Sequence, residues 1–255
     1  MGRKTKPKIV ETNDHVSKNA KDTEEDFEKS TLREYFESIC VAVILALFIR
    51  TFVFQAFKIP TGSMENNLLI GDHLIVNKML YSPAPSGLES AVAPIRHVRR
   101  HDIVVFKFPD DPKRDFIKRV IGLPGERVKI ENKQVYIDDV PLKEPYVFFR
   151  DDTGGPPHGF SSDSMRDSMA EVIVPEGHYF MMGDNRDNSH DSRYWGTLSG
   201  DLLKGRALMI YWSYEYPDGR DAYFKKGWDQ LLEIGSVILH FLPNTRWERF
   251  FHLVR

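Results

Sequence analysis

A serine flanked by small and polar residues lies just after the most apolar segment of the chain. This is Ser63, in the segment IPTGSMENNLLIGDHLIVNK from Ile59 to Lys78. A serine hydroxyl is a poor nucleophile until a base takes its proton, so a serine site needs a histidine, or an amine held neutral, beside it. The rest of the sequence offers one candidate of each kind.

Lys118 is the candidate amine, in the segment DFIKRVIGLPG. In a strand it shares a face with Phe116 and Val120, because side chains alternate between the two faces. A lysine buried on such a face loses the hydration of its ammonium group, and its pKa falls. Lowering the pKa from ~10.4 to near 7 requires roughly 4 kcal/mol of differential desolvation, which buried lysines reach. Taken alone, the residue favours the alternative, a lysine on a solvent-facing strand, since lysines are rarely buried.

His190 is the candidate histidine, in the segment GDNRDNSHDSRYWG. Ser189, His190 and Asp191 look like a catalytic triad written in one line, but consecutive side chains point in divergent directions and a triad is assembled in space. The alternative for this segment is a charged turn held by ion pairs among its Asp and Arg residues. His97 and His101 have the spacing of helical zinc ligands, but no carboxylate pattern accompanies them and a predicted strand follows. We expect no metal site there.

The composition is that of a folded protein with a sizeable core, with 255 residues of which 41% are hydrophobic. A formal net charge of -2 leaves no electrostatic footprint for nucleic acid, so we expect no such partner. The single cysteine, Cys40, excludes an intrachain disulfide, and its place in an apolar run favours a small buried hydrophobe over a reactive thiol. None of these patterns predicts a cofactor.

The run SICVAVILALFIRTFVFQAF, Ser38 to Phe57, predicts a membrane anchor. Twenty helical residues reach about 30 Å, the thickness of a hydrocarbon core. Arg50 would cost roughly 2.5 to 3.5 kcal/mol at mid-bilayer, but it can snorkel to an interface. A buried core helix and a cleaved signal peptide are the alternatives; a cleaved leader would have a shorter apolar region and a small-x-small site. More basic residues precede the run than follow it, which predicts a cytoplasmic N terminus and an exported remainder.

Beyond the anchor the sequence predicts a mainly antiparallel β domain. Six runs rich in Val, Ile, Phe and Tyr, each bounded by turn residues, predict its strands: 73–80, 102–108, 115–123, 126–142, 170–183 and 205–214. Segments 81–97 and 148–170 are rich in Pro, Gly, Ser and Ala, and are expected to be mobile loops or insertions. On either side of Pro243 the last segment, 228–255, is too short for a second span. It predicts either a surface or interfacial helix, or a helix that covers the core.

Four segments, in this order after an apolar anchor, resemble the sequence boxes of the bacterial type I (leader) signal peptidases: IPTGSMENNLLIGDHLIVNK, HDIVVFKFP, DFIKRVIGLPGERV and GDNRDNSHDSRYWG. The resemblance covers residues 38–80, 99–146 and 172–213, and RWERF resembles the family's closing segment. It implies a membrane-bound serine endopeptidase that removes signal peptides from exported preproteins, with small residues preferred at positions -1 and -3. The implied partners are secretory preproteins and the lipid bilayer, and the implied location is the bacterial cytoplasmic (inner) membrane, crossed once.

The same resemblance assigns roles to residues. Ser63 resembles the nucleophile and Lys118 the general base, which reverses the solvent-facing interpretation of this lysine. Thr61 resembles the hydroxyl donor to the oxyanion, and Ser189 the residue that orients the lysine amine. Two further residues look like the ion pair that supports the site: Asp191 and Arg193. Five apolar residues are assigned to the substrate pockets: Ile59, Met64, Leu68, Phe116 and Ile117.

Three positions depart from the family pattern. Thr61 stands where a serine is common, Asn66 where a proline is frequent, and His101 where a glycine is usual. The threonine keeps the hydroxyl that the oxyanion role requires.

The implied fold is mainly β, with an antiparallel β-sheet catalytic domain and a smaller β cap, preceded by one N-terminal transmembrane helix. We expect five regions along the chain: a polar, disordered cytoplasmic tail at 1–34, the anchor at 35–57, the first part of the catalytic core at 58–125, a cap or insertion at 126–177, and the second part of the core with the C-terminal segment at 178–255. Two other classes stay open, a non-catalytic membrane-anchored assembly or binding protein and a Ser-His hydrolase that uses His190. The retained polar site residues argue against the first, and the lack of a separate Asp arrangement argues against the second.

Overall fold

The computed structural model describes residues 31–79, 97–149, 167–216, 235, 237 and 239–254. The predicted tail up to residue 30 lies outside these ranges, as do most of the two predicted long loops and the start of the C-terminal segment. The chain divides into two compact units, one up to Leu47 and the other from Phe48 onward.

The N-terminal helix is apolar along most of its surface. Helix α1 covers Thr31–Phe48 and continues as a π-helical turn over Ile49–Val53. Within the described part of the chain, Arg33–Val53 is the one helix long and apolar enough to cross a membrane, and none of it is buried inside the protein. The helical segment ends before Phe57, because Phe54–Lys58 pairs as a strand.

The second unit is built from strands and short helical turns. Within the described residues the strands are β1 (Phe54–Lys58), β2 (Asp72–Asn77), β3 (Ile103–Lys107), β4 (Asp115–Gly122), β5 (Arg127–Glu131), β6 (Gln134–Ile137), β7 (Val140–Pro141), β8 (Met169–Ile173), β9 (His178–Met182), β10 (Leu198–Ser199), β11 (Leu203–Ser213) and β12 (His252–Leu253). The short helices are α2 (Ser192–Trp195) and α3 (Phe241–Asn244). Each of the six predicted strand segments overlaps at least one of these strands.

The larger sheet has the order β1-β2-β11-β3-β4-β9-β10, and β12 pairs with β11. Every pairing in it is antiparallel. A smaller antiparallel sheet has the order β7-β6-β5-β8. The sequence expectation of a mainly antiparallel β fold with a smaller β part and one N-terminal apolar helix is confirmed.

Two tight turns shape the smaller sheet. The β5–β6 turn has positive φ at Asn132 and Lys133, and the next turn has positive φ at Asp138 and Asp139. Two successive positive φ values are typical of the type I′ hairpin turn, whose twist matches that of the strands. One apolar cluster joins the two sheets: Ile121, Phe180 and Met182 from the larger, and Val128, Ile130, Val135 and Ile137 from the smaller, together with Val174.

The C-terminal segment is not one continuous helix in the residues that the structure describes. Gly235, Val237 and Leu239 are helical, and after them come the single turn α3, a 3-10 turn over Trp247–Arg249, and the short strand β12. Several of its apolar side chains are exposed, including Leu239, Leu242 and Phe251.

Candidate active site

Ser63 lies in a tight turn at the end of β1. The chain leaves β1 in extended conformation at Thr61 (φ -134°, ψ 153°) and enters a 3-10 turn over Gly62–Met64. Ile59, which precedes the turn, and Met64, its last residue, are buried in one apolar cluster and anchor the turn to the core. Ser63 is 7% exposed. The serine therefore sits in a constrained turn at the surface of the core, while Thr61 is exposed.

Lys118 points at this serine. Its Nζ lies 2.6 Å from Ser63 Oγ and 3.1 Å from the backbone oxygen of Ile117, to both of which it donates hydrogen bonds. The lysine lies in β4 opposite Val104 of β3 and is 3% exposed. Burial lowers the pKa of its amine to about 8, although the charges of Asp191 and Asp184 act in the opposite direction. The side chain is thus not on a solvent face, and its neutral form is accessible near neutral pH.

His190, the other candidate base, has different surroundings. Its ring stacks on Tyr194, with ring centroids 5.5 Å apart, and meets Phe108 edge-on at 5.8 Å. Burial lowers the pKa of its imidazole. Among the described residues, the hydrogen-bond partner of Ser63 Oγ is Lys118 and not His190.

Gly183 lies between Ser189 and the turn that carries Ser63. A Cβ atom built on Gly183 would lie 2.2 Å from Ser189 Oγ and 2.5 Å from the backbone oxygen of Ser63. Real Cβ atoms do not approach other atoms this closely, so only glycine fits here. In the described structure Lys118 bonds to Ser63 and Ile117, and Ser189 is not among its hydrogen-bond partners. The structure therefore brings Ser189 to the site without a direct bond to the amine.

Asp191 and Arg193 form a buried two-bond ion pair. Arg193 Nε and Nη2 each lie 2.9 Å from one oxygen of the carboxylate, and the two side chains are at most 1% exposed. Burial alone would raise the pKa of Asp191, but the charge and hydrogen bonds of Arg193 and the amide of Gly183 hold this pKa below its usual value. The Gly183 N–H donates to Asp191 at 3.0 Å. The pair thus fixes the glycine that packs against Ser63.

A second buried ion pair was missed at the sequence level. Arg119 donates to both oxygens of Asp184, at 2.8 and 2.7 Å, and both side chains are 1% exposed. Arg119 also donates to the backbone oxygen of His101 at 2.9 Å, and its guanidinium lies 3.8 Å from the centre of the Tyr146 ring. Strand alternation places Arg119 on the face opposite Lys118. The sequence signal for this ion pair was the alternation, which puts a charged residue on the second face of β4, together with Asp184 in the segment GDNRD.

The five predicted pocket residues lie in two apolar clusters. Ile59, Met64 and Leu68 are at most 2% exposed and form one cluster, against which the part-buried Ile117 packs. Phe116 belongs to another cluster, with Phe106, Val120 and the stacked ring of Phe108. Of the five, only Phe116 and Ile117 are partly accessible in the structure.

Two of the departures from the family pattern have local explanations. Asn66 has φ 89° and His101 has φ 71°. The value at Asn66 is incompatible with proline, whose ring fixes φ near -65°. The left-handed backbone at His101 is the conformation that glycine adopts most readily, and there the histidine ring contacts the Tyr146 hydroxyl at 2.9 Å. Neither His101 nor His97 belongs to a group of three possible metal ligands among the described residues.

Comparison with known proteins decides the family. A family model described as "Signal peptidase, peptidase S26" matches residues 32–212. The chain belongs to this signal peptidase family. It is therefore a serine endopeptidase that removes signal peptides.

Two curated bacterial relatives agree with this membership. A signal peptidase I of Pseudomonas aeruginosa is 34% identical over 211 residues, which are 73% of this chain and 74% of the relative. A probable signal peptidase I-2 of Synechocystis is 37% identical over 189 residues, 72% of this chain and 75% of the relative. A crystal structure of a signal peptidase I from Enterococcus faecalis is 34% identical, covers 44% of this chain and 97% of its own, and has a TM-score of 0.34.

Proposed function

We propose that this signal peptidase cleaves with Ser63 as the nucleophile and neutral Lys118 as the general base. The observation that carries the proposal is the 2.6 Å contact between Ser63 Oγ and a lysine amine that is 3% exposed. A general base must lie within hydrogen-bond reach of the proton that it takes, and its pKa must lie near the working pH. The pKa of Lys118, lowered by burial to about 8, meets the second condition.

The two steps of the reaction then balance in protons. Ser63 Oγ attacks the carbonyl carbon of the scissile bond while its proton moves to Lys118 Nζ, and the tetrahedral intermediate forms. Lys118 gives this proton to the leaving amine of the mature protein as the C–N bond breaks. In the second step Lys118 takes a proton from water, which attacks the acyl-enzyme, and returns it to Ser63 Oγ.

The oxyanion has two donors near Ser63. The first is the backbone N–H of Ser63, because the first residues of a helical turn keep N–H groups without partners inside the turn, and Ser63 lies in the 3-10 turn. The hydroxyl of Thr61, which does not cap that turn, is the second donor. Preorganised donors of this kind are each worth about 3 kcal/mol of transition-state stabilisation in comparable sites.

The remaining polar residues hold this geometry. Asp191, paired with Arg193, accepts the Gly183 N–H and so keeps Gly183 against Ser63. Ser189, which adjoins Gly183, orients the lysine amine once Ser63 is acylated and no longer accepts its hydrogen bond. This role matches the position of Ser189 beside Gly183.

The substrate binds as an added strand. In a strand the side chains at -1 and -3 lie on the same face, so one wall of the enzyme's binding site contacts both of them. The part-buried Ile117 supplies the accessible apolar surface of this wall, and the buried Ile59, Met64 and Leu68 back it. Phe116, which packs on the other apolar cluster, supplies a separate apolar surface on the opposite face of β4. A shallow wall backed by a packed core accepts small residues and excludes bulk, as the small-x-small pattern of secretory leaders requires.

The apolar helix anchors the enzyme in the bacterial cytoplasmic membrane. Arg33–Val53 crosses the bilayer once, with the N terminus in the cytoplasm and the β domain on the extracytoplasmic face. The bilayer and the secretory preproteins that emerge through it are the partners. This arrangement places Ser63 on the side of the membrane where exported chains emerge.

One experiment tests the proposed activity. The detergent-solubilised protein and its Ser63→Ala variant are incubated with a secretory preprotein, and the N terminus of the product is sequenced. We expect a single new N terminus after a small-x-small site with the wild type, and none with the folded variant. Equal cleavage by both proteins would contradict the assignment of Ser63.

A further inference from the structure

Asn67 lies in the loop between β1 and β2, residues 59–71, which carries Ser63 and is called the nucleophile loop below. The side-chain amide and the backbone oxygen of Asn67 are bonded to separate parts of the chain. Its side-chain amide donates to Asp184 Oδ2 at 2.6 Å. Its backbone oxygen accepts a hydrogen bond from Arg249 Nη2 at 2.8 Å. Asp184 follows β9 and Arg249 lies in the C-terminal segment, so distant parts of the chain meet at one residue of this loop.

The side-chain amide of Asn67 is connected through Asp184 to β4, the strand that carries Lys118. Asp184 is held by two bonds from Arg119, and both of these side chains are 1% exposed. Arg119 directly follows Lys118 in β4. The Asn67 amide therefore ties the loop of Ser63 to a rigid group beside Lys118. A hydrogen bond to a carboxylate of this kind is shorter and stronger than one between neutral groups.

The backbone end of Asn67 is fixed to the larger sheet. Arg249 pairs with Asp72, at 2.6 Å from Nη2 and 3.1 Å from Nε. Asp72, the fully buried first residue of β2, also accepts hydrogen bonds from the Ser213 hydroxyl at 2.6 Å and the Leu69 amide at 2.8 Å. The loop is thus held at its middle by Asn67, in addition to its two ends.

Short backbone bonds transmit the position of Asn67 to Ser63. The amides of Asn67 and Leu68 donate to the backbone oxygen of Met64, at 3.2 and 2.8 Å. Met64 is the residue after Ser63. A displacement of Asn67 therefore displaces the turn that carries the nucleophile.

We propose that Asn67 is a positioning residue that sets the distance between Ser63 Oγ and Lys118 Nζ by tying the nucleophile loop to the Arg119–Asp184 pair. The inference rests on the catalytic roles proposed above for Ser63 and Lys118. A misplacement of 1 Å can cost about 100-fold in rate. Asn185 also holds the turn, through bonds to the backbone oxygens of Gly62 and Ser63, so we expect a smaller loss, of about tenfold, without the Asn67 amide.

The test compares three variants of the full chain in detergent, with kcat and KM measured on a preprotein across pH. Asn67→Leu removes the amide and keeps the volume. Asn67→Asp adds a negative charge next to Asp184, one of the charged groups that act on Lys118 together with Asp191 and Arg193. Asn244→Leu is the matched control, because Asn244 is similarly part-buried and its amide bonds to the Tyr214 hydroxyl at 3.3 Å, not to the nucleophile loop.

Asn67→Leu should lower kcat about tenfold and leave KM and the midpoint of the pH profile unchanged. Asn67→Asp should lower kcat and also move the midpoint to higher pH, while Asn244→Leu leaves all three quantities within about twofold of wild type. If Asn67→Leu does not fold, Asn67→Ser replaces it with the same expected fall in kcat. A folded Asn67→Leu enzyme with wild-type kcat, or an equal loss in Asn244→Leu, would overturn the inference. Lys118→Ala in the same assay separates the two proposals: if it is inactive while folded Asn67→Leu keeps wild-type kcat, the catalytic assignment stands and only the role of Asn67 is overturned, whereas an active, folded Lys118→Ala enzyme would overturn both.

Discussion

The backbone oxygen of Ser63 packs directly against Gly183, at a distance that leaves no room for a side chain. A Cβ atom at Gly183 would lie 2.5 Å from this oxygen and 2.2 Å from Ser189 Oγ. Gly183 cannot yield easily, because its amide is bonded to Asp191 of a fully buried ion pair. The Ser189 side chain and the turn that carries Ser63 are therefore the parts that would have to move.

Gly183→Ala should reduce kcat by about 100-fold, because the displaced turn breaks the contact between Ser63 and Lys118. The measurement is preprotein cleavage at saturating substrate, with circular dichroism to show that the variant is folded. Gly235→Ala is the control, since a Cβ there would meet no atom within 4 Å among the described residues. Wild-type activity in folded Gly183→Ala would show that the turn tolerates the methyl group.

Lys118→Met should stabilise the protein at neutral pH while abolishing activity. The pKa of Lys118 falls from 10.5 to about 8 on burial, so the folded state disfavours the charged form. This corresponds to about 3 kcal/mol below pH 8, from which about 1 kcal/mol is subtracted for each of the two lost hydrogen bonds, to Ser63 and to the backbone oxygen of Ile117. We therefore expect the free energy of unfolding at pH 7 to rise by about 1 kcal/mol, measured by urea denaturation.

The difference in stability between Lys118→Met and the wild type should depend on pH, in the direction that the lowered pKa of Lys118 sets. Between pH 8 and pH 10.5 the unfolded wild type binds more protons than the folded one, so wild-type stability rises with pH in this window. The Met variant lacks this group, so its advantage should shrink across the window and reverse above it, because the cost of the lost hydrogen bonds remains. An advantage that stays constant with pH would mean that the lysine is not desolvated.

The apolar wall gives a prediction on specificity. Ile117 packs against the cluster that contains Ile59 and Met64 and remains partly accessible. Ile117→Ala enlarges the site, and each methylene group is worth about 1 to 3 kcal/mol in steric discrimination. Cleavage of preproteins with Val or Leu at -1 or -3 should rise by about tenfold or more relative to those with Ala. Ile173→Ala, at an exposed position of the smaller sheet, is the control, and unchanged fidelity at position 117 would remove this side chain from the wall.

The membrane orientation can be tested on intact cells. With Arg33–Val53 spanning once and the N terminus inside, protease added outside spheroplasts should digest an epitope placed beyond residue 60 and spare one placed before residue 31. Lysed spheroplasts, in which both epitopes are digested, are the control. The opposite pattern in intact spheroplasts would place the β domain in the cytoplasm.

Local patterns in the sequence predicted much of the fold. Runs rich in Val, Ile, Phe and Tyr located the strands. The apolar neighbours of Lys118 in DFIKRVIG left a solvent-facing lysine as the favoured interpretation, and the resemblance to the signal peptidases reversed it. The end of the helical segment was not predictable in this way, because Phe54 and Phe57 are as apolar as the residues before them. Their pairing with β2 makes them a strand, and that pairing is a tertiary contact.

The long-range polar contacts could not be predicted from local patterns. Arg119 and Asp184 are 65 residues apart in sequence, and Asp72 and Arg249 are 177 apart. Which arginine meets which carboxylate depends on the order of strands in the sheet, and the charges alone do not specify a partner. The bridging position of Asn67 follows from both of these pairs, so it emerges only from the folded structure.

The most direct test of the serine-lysine assignment is the pH dependence of kcat/KM for four proteins, with circular dichroism as the folding control. For the wild type it should rise with pH through about 8, because Lys118 must be neutral to take the Ser63 proton. Lys118→Ala should be folded and inactive, and Lys118→Arg should not restore activity, because a guanidinium group cannot be deprotonated in this range. His190→Ala should keep substantial activity with an unshifted profile. An active, folded Lys118→Ala enzyme, or an inactive, folded His190→Ala enzyme beside it, would contradict the account.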